Sequence, residues 1–238
     1  MSMTSSVPST ARSLATVARA ALVLVFGAGW GASAAQAQAR SGLVAVIGSW
    51  ADSATTTPSL TVDGTKWSGT TAADQLSRAS ERLFGTSSAD FVRNGSAAGA
   101  FPLAVHVATP SFGNGTLRVQ FNMRGGASDQ NAGIVFGLTP AGEYLYARYN
   151  TKDGDLALWR FVNGERQLIV HGTGTSKLAL GAWHELVVTI SDRTISASIA
   201  GNSTVSLRHT LDSAPTGRVG VWVKRDAVTS FRNFQVTP

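Results

Sequence analysis

From Thr116 to Val236 apolar side chains recur at every second position, in short runs separated by turn residues. Thr116–Met123 alternates in this way, and so do Trp183–Ile190, Thr194–Ile199 and Ser230–Val236. Gly133–Leu138, Leu156–Val162 and Arg218–Val223 are more continuously apolar, and Glu143–Tyr149 is rich in aromatics. A period of two places alternate side chains on opposite faces of a strand. Asp153-Gly154, Asn163-Gly164 and Gly201-Asn202 sit between the runs, and such pairs supply the positive φ that tight hairpins need. About ten short strands joined by hairpins predict an all-β antiparallel sandwich or jelly roll. No βαβ rhythm appears, which excludes a parallel α/β sheet.

Two segments break the rhythm. Ala72, Leu76, Ala79 and Leu83 recur at helical spacing, predicting one short helix or an irregular excursion within residues 50–100. Residues 1–39 carry Arg12 and Arg19 but no acid, then the apolar run Ala20–Trp30, then Ala35-Gln36-Ala37-Gln38-Ala39. A basic start, a short apolar core and small-residue cleavage sites describe a secretory signal peptide. The core is roughly a dozen residues, short of the about 20 that cross a bilayer. The expectation is therefore a cleaved signal over 1–39 and one domain over 40–238. The mature protein would be exported, periplasmic or extracellular, with no membrane span.

Loss of Arg12 and Arg19 lowers the net charge from +6 to +4. The remaining basic residues form no block, so nucleic acid is not an expected partner. The chain contains no Cys, which excludes disulfides, thiolate metal sites and cysteine nucleophiles. His106, His171, His184 and His209 lack metal-ligand spacing. Asp153-Gly154-Asp155 suggests calcium only weakly, because an Asp-Gly hairpin accounts for it. No metal or other cofactor is expected. Neither a Gly-x-Ser-x-Gly elbow nor a phosphate-binding Gly-x-x-x-x-Gly-Lys loop occurs.

Two strands carry candidate binding faces. Tyr144, Tyr146, Arg148 and Asn150 lie two residues apart in series and share one face of a regular strand. Aromatic rings stack on sugar rings, while Arg and Asn bond hydroxyls. The competing role is that the tyrosines pack within the sandwich and Arg148 is a surface charge. Trp222, Lys224 and Asp226 share a face by the same spacing, either as a ligand patch or as a core Trp beside a strand-end ion pair. Asp129-Gln130 lies in a loop before a core strand, where an Asx turn is the expected role. Trp159 and Trp183 are expected in the core.

Several stretches together resemble the concanavalin A-like jelly-roll superfamily. They are Phe112–Val119, Gly126–Phe136, Tyr144–Asn150, Asn163–Arg166, Trp183-His184 and Gly217–Phe231. Within it they look most like the bacterial exported group described as 3-keto-disaccharide hydrolase-like or family 16 glycoside hydrolase-like. The resemblance covers roughly residues 100–238. It implies two antiparallel sheets, one of them concave, and a carbohydrate partner. It supports Tyr144, Arg148, Asn150, Trp222, Lys224, Asp226, Asp129 and Gln130 as sugar-binding positions. Tyr146 stands where the group has an aliphatic residue, and Arg225 where it has a small one.

Family 16 chemistry uses a strand motif Glu-x-Asp-x-x-Glu, which this sequence lacks. The first reading of function is accordingly a carbohydrate-binding domain. The second is a glycoside hydrolase or lyase acting on a glycoside such as a 3-keto sugar. There the acid–base candidates are Asp226, His184 and Glu143, with Glu143 and Asp226 as a pair drawn from distant positions. The third is a structural or adhesive module whose concave face is filled, with residues 72–100 the natural cover. The oligomeric state is not legible in the sequence.

Overall fold

Every alternating run becomes a strand of one of two seven-stranded antiparallel sheets in the computed structural model. It describes Met1 and residues 42–53, 55–67, 69–99 and 101–238; the expected signal peptide lies, apart from Met1, outside them. In chain order the strands are β1 (Leu43–Ile47), β2 (Trp50–Asp52), β3 (Leu60–Asp63), β4 (Leu103–His106), β5 (Gly115–Gly125), β6 (Asn131–Leu138) and β7 (Tyr144–Asn150). There follow β8 (Asp155–Val162), β9 (Glu165–His171), β10 (His184–Ser191), β11 (Thr194–Ile199), β12 (Asn202–Thr210), β13 (Arg218–Trp222) and β14 (Val228–Thr237). The first sheet runs β1-β4-β13-β6-β7-β8-β9, the second β12-β11-β10-β5-β14-β3-β2. This is the expected two-sheet jelly roll, and β1–β3 divide themselves between its sheets.

The alternation decides which side chains meet. Leu117, Val119, Phe121 and Met123 on β5 and Leu186, Val188 and Ile190 on β10 point inward. They pack against Ile134 and Phe136 of β6, Leu156 and Leu158 of β8, and Val219 and Val221 of β13. Each is fully or almost fully buried, which stabilises the fold by about 1.5–3 kcal/mol per large apolar side chain. The Asn163-Gly164 turn between β8 and β9 has φ of 52° and 81°, the two left-handed residues of a type I′ hairpin.

The chain between β3 and β4 forms two helices, α1 (Ala73–Phe84) and α2 (Ala89–Ala97), not one. Gly85, at φ 77°, closes α1, and the Ser88 side chain accepts from the Phe91 N–H to open α2. Leu76 and Leu83 of α1 and Phe91 of α2 are buried against Val105, Val135, Tyr144 and Phe161, on the outer side of the first sheet. The Asn94 amide donates to the Ala141 carbonyl at 2.7 Å, tying α2 to the β6–β7 turn. Arg218 donates to the Leu83 carbonyl. Residues 72–100 are the cover expected under the structural or adhesive reading; the pair of helices packs on one end of the first sheet. Among the described residues no helix is long and apolar enough to cross a membrane.

Candidate functional site

Strand register arranges the outer face of the first sheet in transverse rows. Tyr144 lies beside Phe161, which faces Arg166. The next row is Gly220–Val135–Tyr146–Trp159–Leu168. Then comes Trp222–Gly133–Arg148–Ala157–His171, and last Asn131–Asn150–Asp155. Thus Tyr144, Tyr146, Arg148 and Asn150 do share one face. That face is aromatic at the helical end and polar at the other.

The aromatic end is closed. Tyr144, Tyr146 and Trp222 are 3%, 1% and 0% exposed. Tyr146 stacks on Trp222 at 4.1 Å between ring centroids, and Tyr144 on Phe161 at 5.0 Å. Phe101 lies over Trp222 at 5.8 Å. None of the three offers a ring face to solvent, so they build the wall and floor of a site rather than a stacking platform. Burial raises the pKa of both tyrosines; for Tyr146, where Arg166 pulls the other way, it reaches about 12. Trp159 is the ring nearer the surface. It is half-buried, parallel to Tyr146 at 6.4 Å, and capped by the Arg166 guanidinium at 4.3 Å.

The polar end is built from buried charge. The Arg148 side chain is 7% exposed and reaches Asp153 at 3.3 Å and Asp155 at 3.5 Å. Asp155 also contacts His171 Nδ1 at 2.9 Å. Asn150 donates to Asp153 at 2.6 Å. Lys224 Nζ lies 3.2 Å from Asp129, which Arg225 approaches at 3.6 Å. Burial, then the nearby Arg166, holds the Lys224 ammonium below the ordinary lysine range, while Asp129 pulls it back up. Gly133 and Ala157 flank Arg148 with almost no side chain, and the Trp222 ring fills the space over Gly133, 3.2 Å from where a Cβ would stand. Arg148 Nε, Asn131 Nδ2 and Trp159 Nε1 are buried without a hydrogen-bond partner in the protein.

Asp226 departs from the expected face. β13 ends at Trp222, Arg225 takes φ 50°, and the Asp226 carboxylate turns to the loop before β6. There it accepts from the backbone N–H groups of Ala127, Ser128 and Asp129 at 2.6, 2.8 and 2.9 Å. Desolvation raises its pKa, but these donors outweigh it and the carboxyl sits below the usual Asp range. Lys224 therefore pairs with Asp129, not with Asp226. Asp129 is free of the expected Asx role because Asp226 fills it, and Gln130 closes the same loop on the Gly126 carbonyl at 3.0 Å.

The other acid–base candidates are scattered. Glu143 precedes β7 and accepts from the Asn163 N–H at 3.4 Å, at the helical end. Asp226 serves the loop at the opposite end of β7, roughly 20 Å away at about 3.3 Å per residue. That is too far for a carboxylate pair, which needs at most about 9.5 Å. His184 belongs to the second sheet, where its Nε2 meets the Ala179 carbonyl at 3.0 Å. Trp183, also there, is half-buried under Arg232 at 3.9 Å. Among the described residues no group of three or more His, Cys, Asp or Glu is placed to hold a metal.

Sequence reasoning missed Asn131, Asp155, Arg166 and His171. Asp155, Ala157, Trp159 and Phe161 alternate along β8 in the same phase as the β7 set, so parity between paired strands was the available signal for Asp155 and Trp159. Nothing comparable marks Arg166, because β9 is mostly exposed and a bulge shifts its register between Leu158 and Trp159.

No protein-family profile matches the chain, and no curated protein sequence matches it. Among solved structures, the carbohydrate-binding module CBM66 from Bacillus subtilis superposes with a TM-score of 0.57 at 13% identity, over 84% of this chain and 97% of that one. A β-glucanase from Bacillus licheniformis gives 0.39 at 10% identity, over 58% and 71%. A tetrameric galectin from the sponge Cinachyrella sp. gives 0.41 at 15% identity, over 54% and 98%. The shared element is the fold, an antiparallel two-sheet jelly roll.

Proposed function

We propose that this protein binds carbohydrate on the polar end of the outer face of its first sheet. The observation that carries the reading is the row Gly133–Arg148–Ala157–His171. It sets a buried guanidinium, whose Nε has no hydrogen-bond partner in the protein, between two residues with almost no side chain and beside an exposed imidazole. Buried polar groups are normally paired, and Arg148 Nε and Asn131 Nδ2 are not; beside them the more accessible Arg166, Lys224 and His171 side chains would meet the hydroxyls of a sugar. Trp159 supplies the apolar flank. Tyr144, Tyr146 and Trp222 fix its position from below, and the loop carrying Asp129 and Gln130 forms the opposite rim. Sharing a fold with a module named for carbohydrate binding supports the reading.

A glycan screen of the purified protein, reading binding and bond cleavage in the same wells, tests it. Arg148→Ala and Trp159→Leu should each weaken binding at least tenfold. Unchanged binding in both variants, with folding verified by circular dichroism, refutes the site.

One observation favours an enzymatic reading: His171 is held by Asp155 at 2.9 Å on the same row as Arg148. A carboxylate that orients an imidazole beside a cation is an acid–base arrangement, and it is better placed than Asp226, His184 or Glu143. Cleavage abolished by His171→Ala, with binding retained, would establish it.

A further inference from the structure

The charges at the polar end do not balance. Arg148, Lys152, Arg166, Lys224 and Arg225 stand with Asp129, Asp153, Asp155 and Asp226, five cations to four carboxylates, leaving one cation in excess. Arg148 takes Asp153 and Asp155, while Lys224 and Arg225 share Asp129. Arg166 has no carboxylate partner among the described residues; its guanidinium rests on Trp159 and beside the Tyr146 hydroxyl. The crowding registers on Lys224, whose ammonium is disfavoured by burial and by Arg166 together.

Among the buried atoms of this end that make no hydrogen bond, Arg148 Nε, Asn131 Nδ2 and Trp159 Nε1 donate, and Asp129 Oδ2 and Asp155 Oδ1 accept. The buried acceptors of the cluster are already faced by guanidinium groups: Asp129 Oδ2 by Arg225 at 3.6 Å and Asp155 Oδ1 by Arg148 at 3.5 Å. A neutral sugar presents hydroxyls, which donate as readily as they accept, and a face made for them leaves both kinds of group free. This face ion-pairs its buried carboxylate acceptors and leaves donors and a surplus cation.

We infer that the sugar bound on this face carries a carboxylate, as a uronic acid does, received by Arg166 and Lys224 with Arg148 beneath. The inference rests on the carbohydrate reading above and names its substrate class. A carboxylate accepts several hydrogen bonds at once, its bonds to guanidinium and ammonium are the stronger charge-assisted kind, and it would cancel the excess charge.

The test is calorimetric titration of the purified full chain with a panel of uronate oligosaccharides of differing linkage. Each is paired with the same oligosaccharide after its carboxyl groups are reduced to alcohols. The expected result is at least tenfold tighter binding to the acidic member of one or more pairs, weakening as salt is raised. Arg166→Gln and Lys224→Met should each reduce affinity for the acidic member about tenfold or more, and for its reduced partner by less. Equal affinity within every pair, or preference for the reduced members, overturns the carboxylate and leaves the carbohydrate reading standing. Absence of binding to either member of any pair, in a protein shown to be folded, overturns the carboxylate and counts against the carbohydrate reading as well. A sulfated oligosaccharide of the same length is the third arm, and tighter binding to it than to any uronate transfers the site to sulfate esters and overturns the assignment.

Discussion

Replacing Asp226 by Asn separates a structural role for this carboxylate from a catalytic one. In the native loop Oδ2 accepts from Ala127 and Ser128, and Oδ1 from Asp129. An amide keeps one acceptor oxygen. Its better orientation leaves that oxygen on Ala127 and Ser128 and sets an NH2 donor against the Asp129 N–H. One charge-assisted bond, worth about 1.5–3 kcal/mol, is lost, and the other two fall to neutral bonds of about 0.5–1.5 kcal/mol each. Allowing for partial solvent access, the expected loss is about 2–4 kcal/mol at pH 7. Urea unfolding would read it as a midpoint lower by about 1–2 M, given m-values of about 1–3 kcal/mol/M. The pH dependence follows from the depressed pKa. A carboxyl with a lowered folded-state pKa contributes fully above its unfolded value, about 3.9, and loses that contribution as pH falls through its folded value. The gap between wild type and D226N should therefore be widest near neutrality and close in acid, where both side chains are uncharged. A difference below about 0.5 kcal/mol at pH 7, or a gap that persists in acid, refutes the argument. Glycan cleavage lost in D226N with stability intact would restore Asp226 as a reacting group.

Phe91→Ala should destabilise the protein by about 3–5 kcal/mol, read by chemical denaturation, because a ring 2% exposed is removed from the seam between α2 and the first sheet. Of the three tyrosines, Tyr144 and Tyr146 should stay un-ionised at pH 11 in an absorbance titration at 295 nm, because burial raises both. Their raised pKa values stabilise the fold fully below the unfolded tyrosine value of about 10, and that contribution is lost as pH rises further. Two normal titrations from these residues in the folded protein would contradict their burial.

The alternation in Tyr144–Asn150 and Thr116–Met123 told which residues share a face, because parity is a local property of a strand. It did not tell which part of a face is covered. Tyr144 and Tyr146 lie in the same phase as Arg148, yet the first two are buried in the apolar cluster that the helix pair of residues 73–97 joins, and the third is buried among carboxylates. Cover is a tertiary fact, visible in the sequence only as Leu76, Ala79 and Leu83 at helical spacing. Parity also fails where a strand ends: extrapolating Trp222 and Lys224 to Asp226 crosses the left-handed turn at Arg225. The Lys224–Asp129 pair joins residues almost a hundred positions apart, and a single sequence carries no local sign of such a meeting.

The positions of β13 and β14 govern when this chain can become a folded object. β13 joins β4 to β6, and β14 joins β3 to β5. Without them the first sheet divides into a β1–β4 pair and a β6–β9 remainder. The second divides into a β2–β3 pair and the strands β5, β10, β11 and β12. A nascent chain that has reached only Thr216 holds two incomplete sheets and two detached hairpin-like pairs, with the inner faces of Val219, Val221 and Phe231 still unsynthesised. Contacts so distant in sequence are slow to form, and in this topology the decisive ones wait for β13 and β14. Neither sheet is continuous until those two strands are in place.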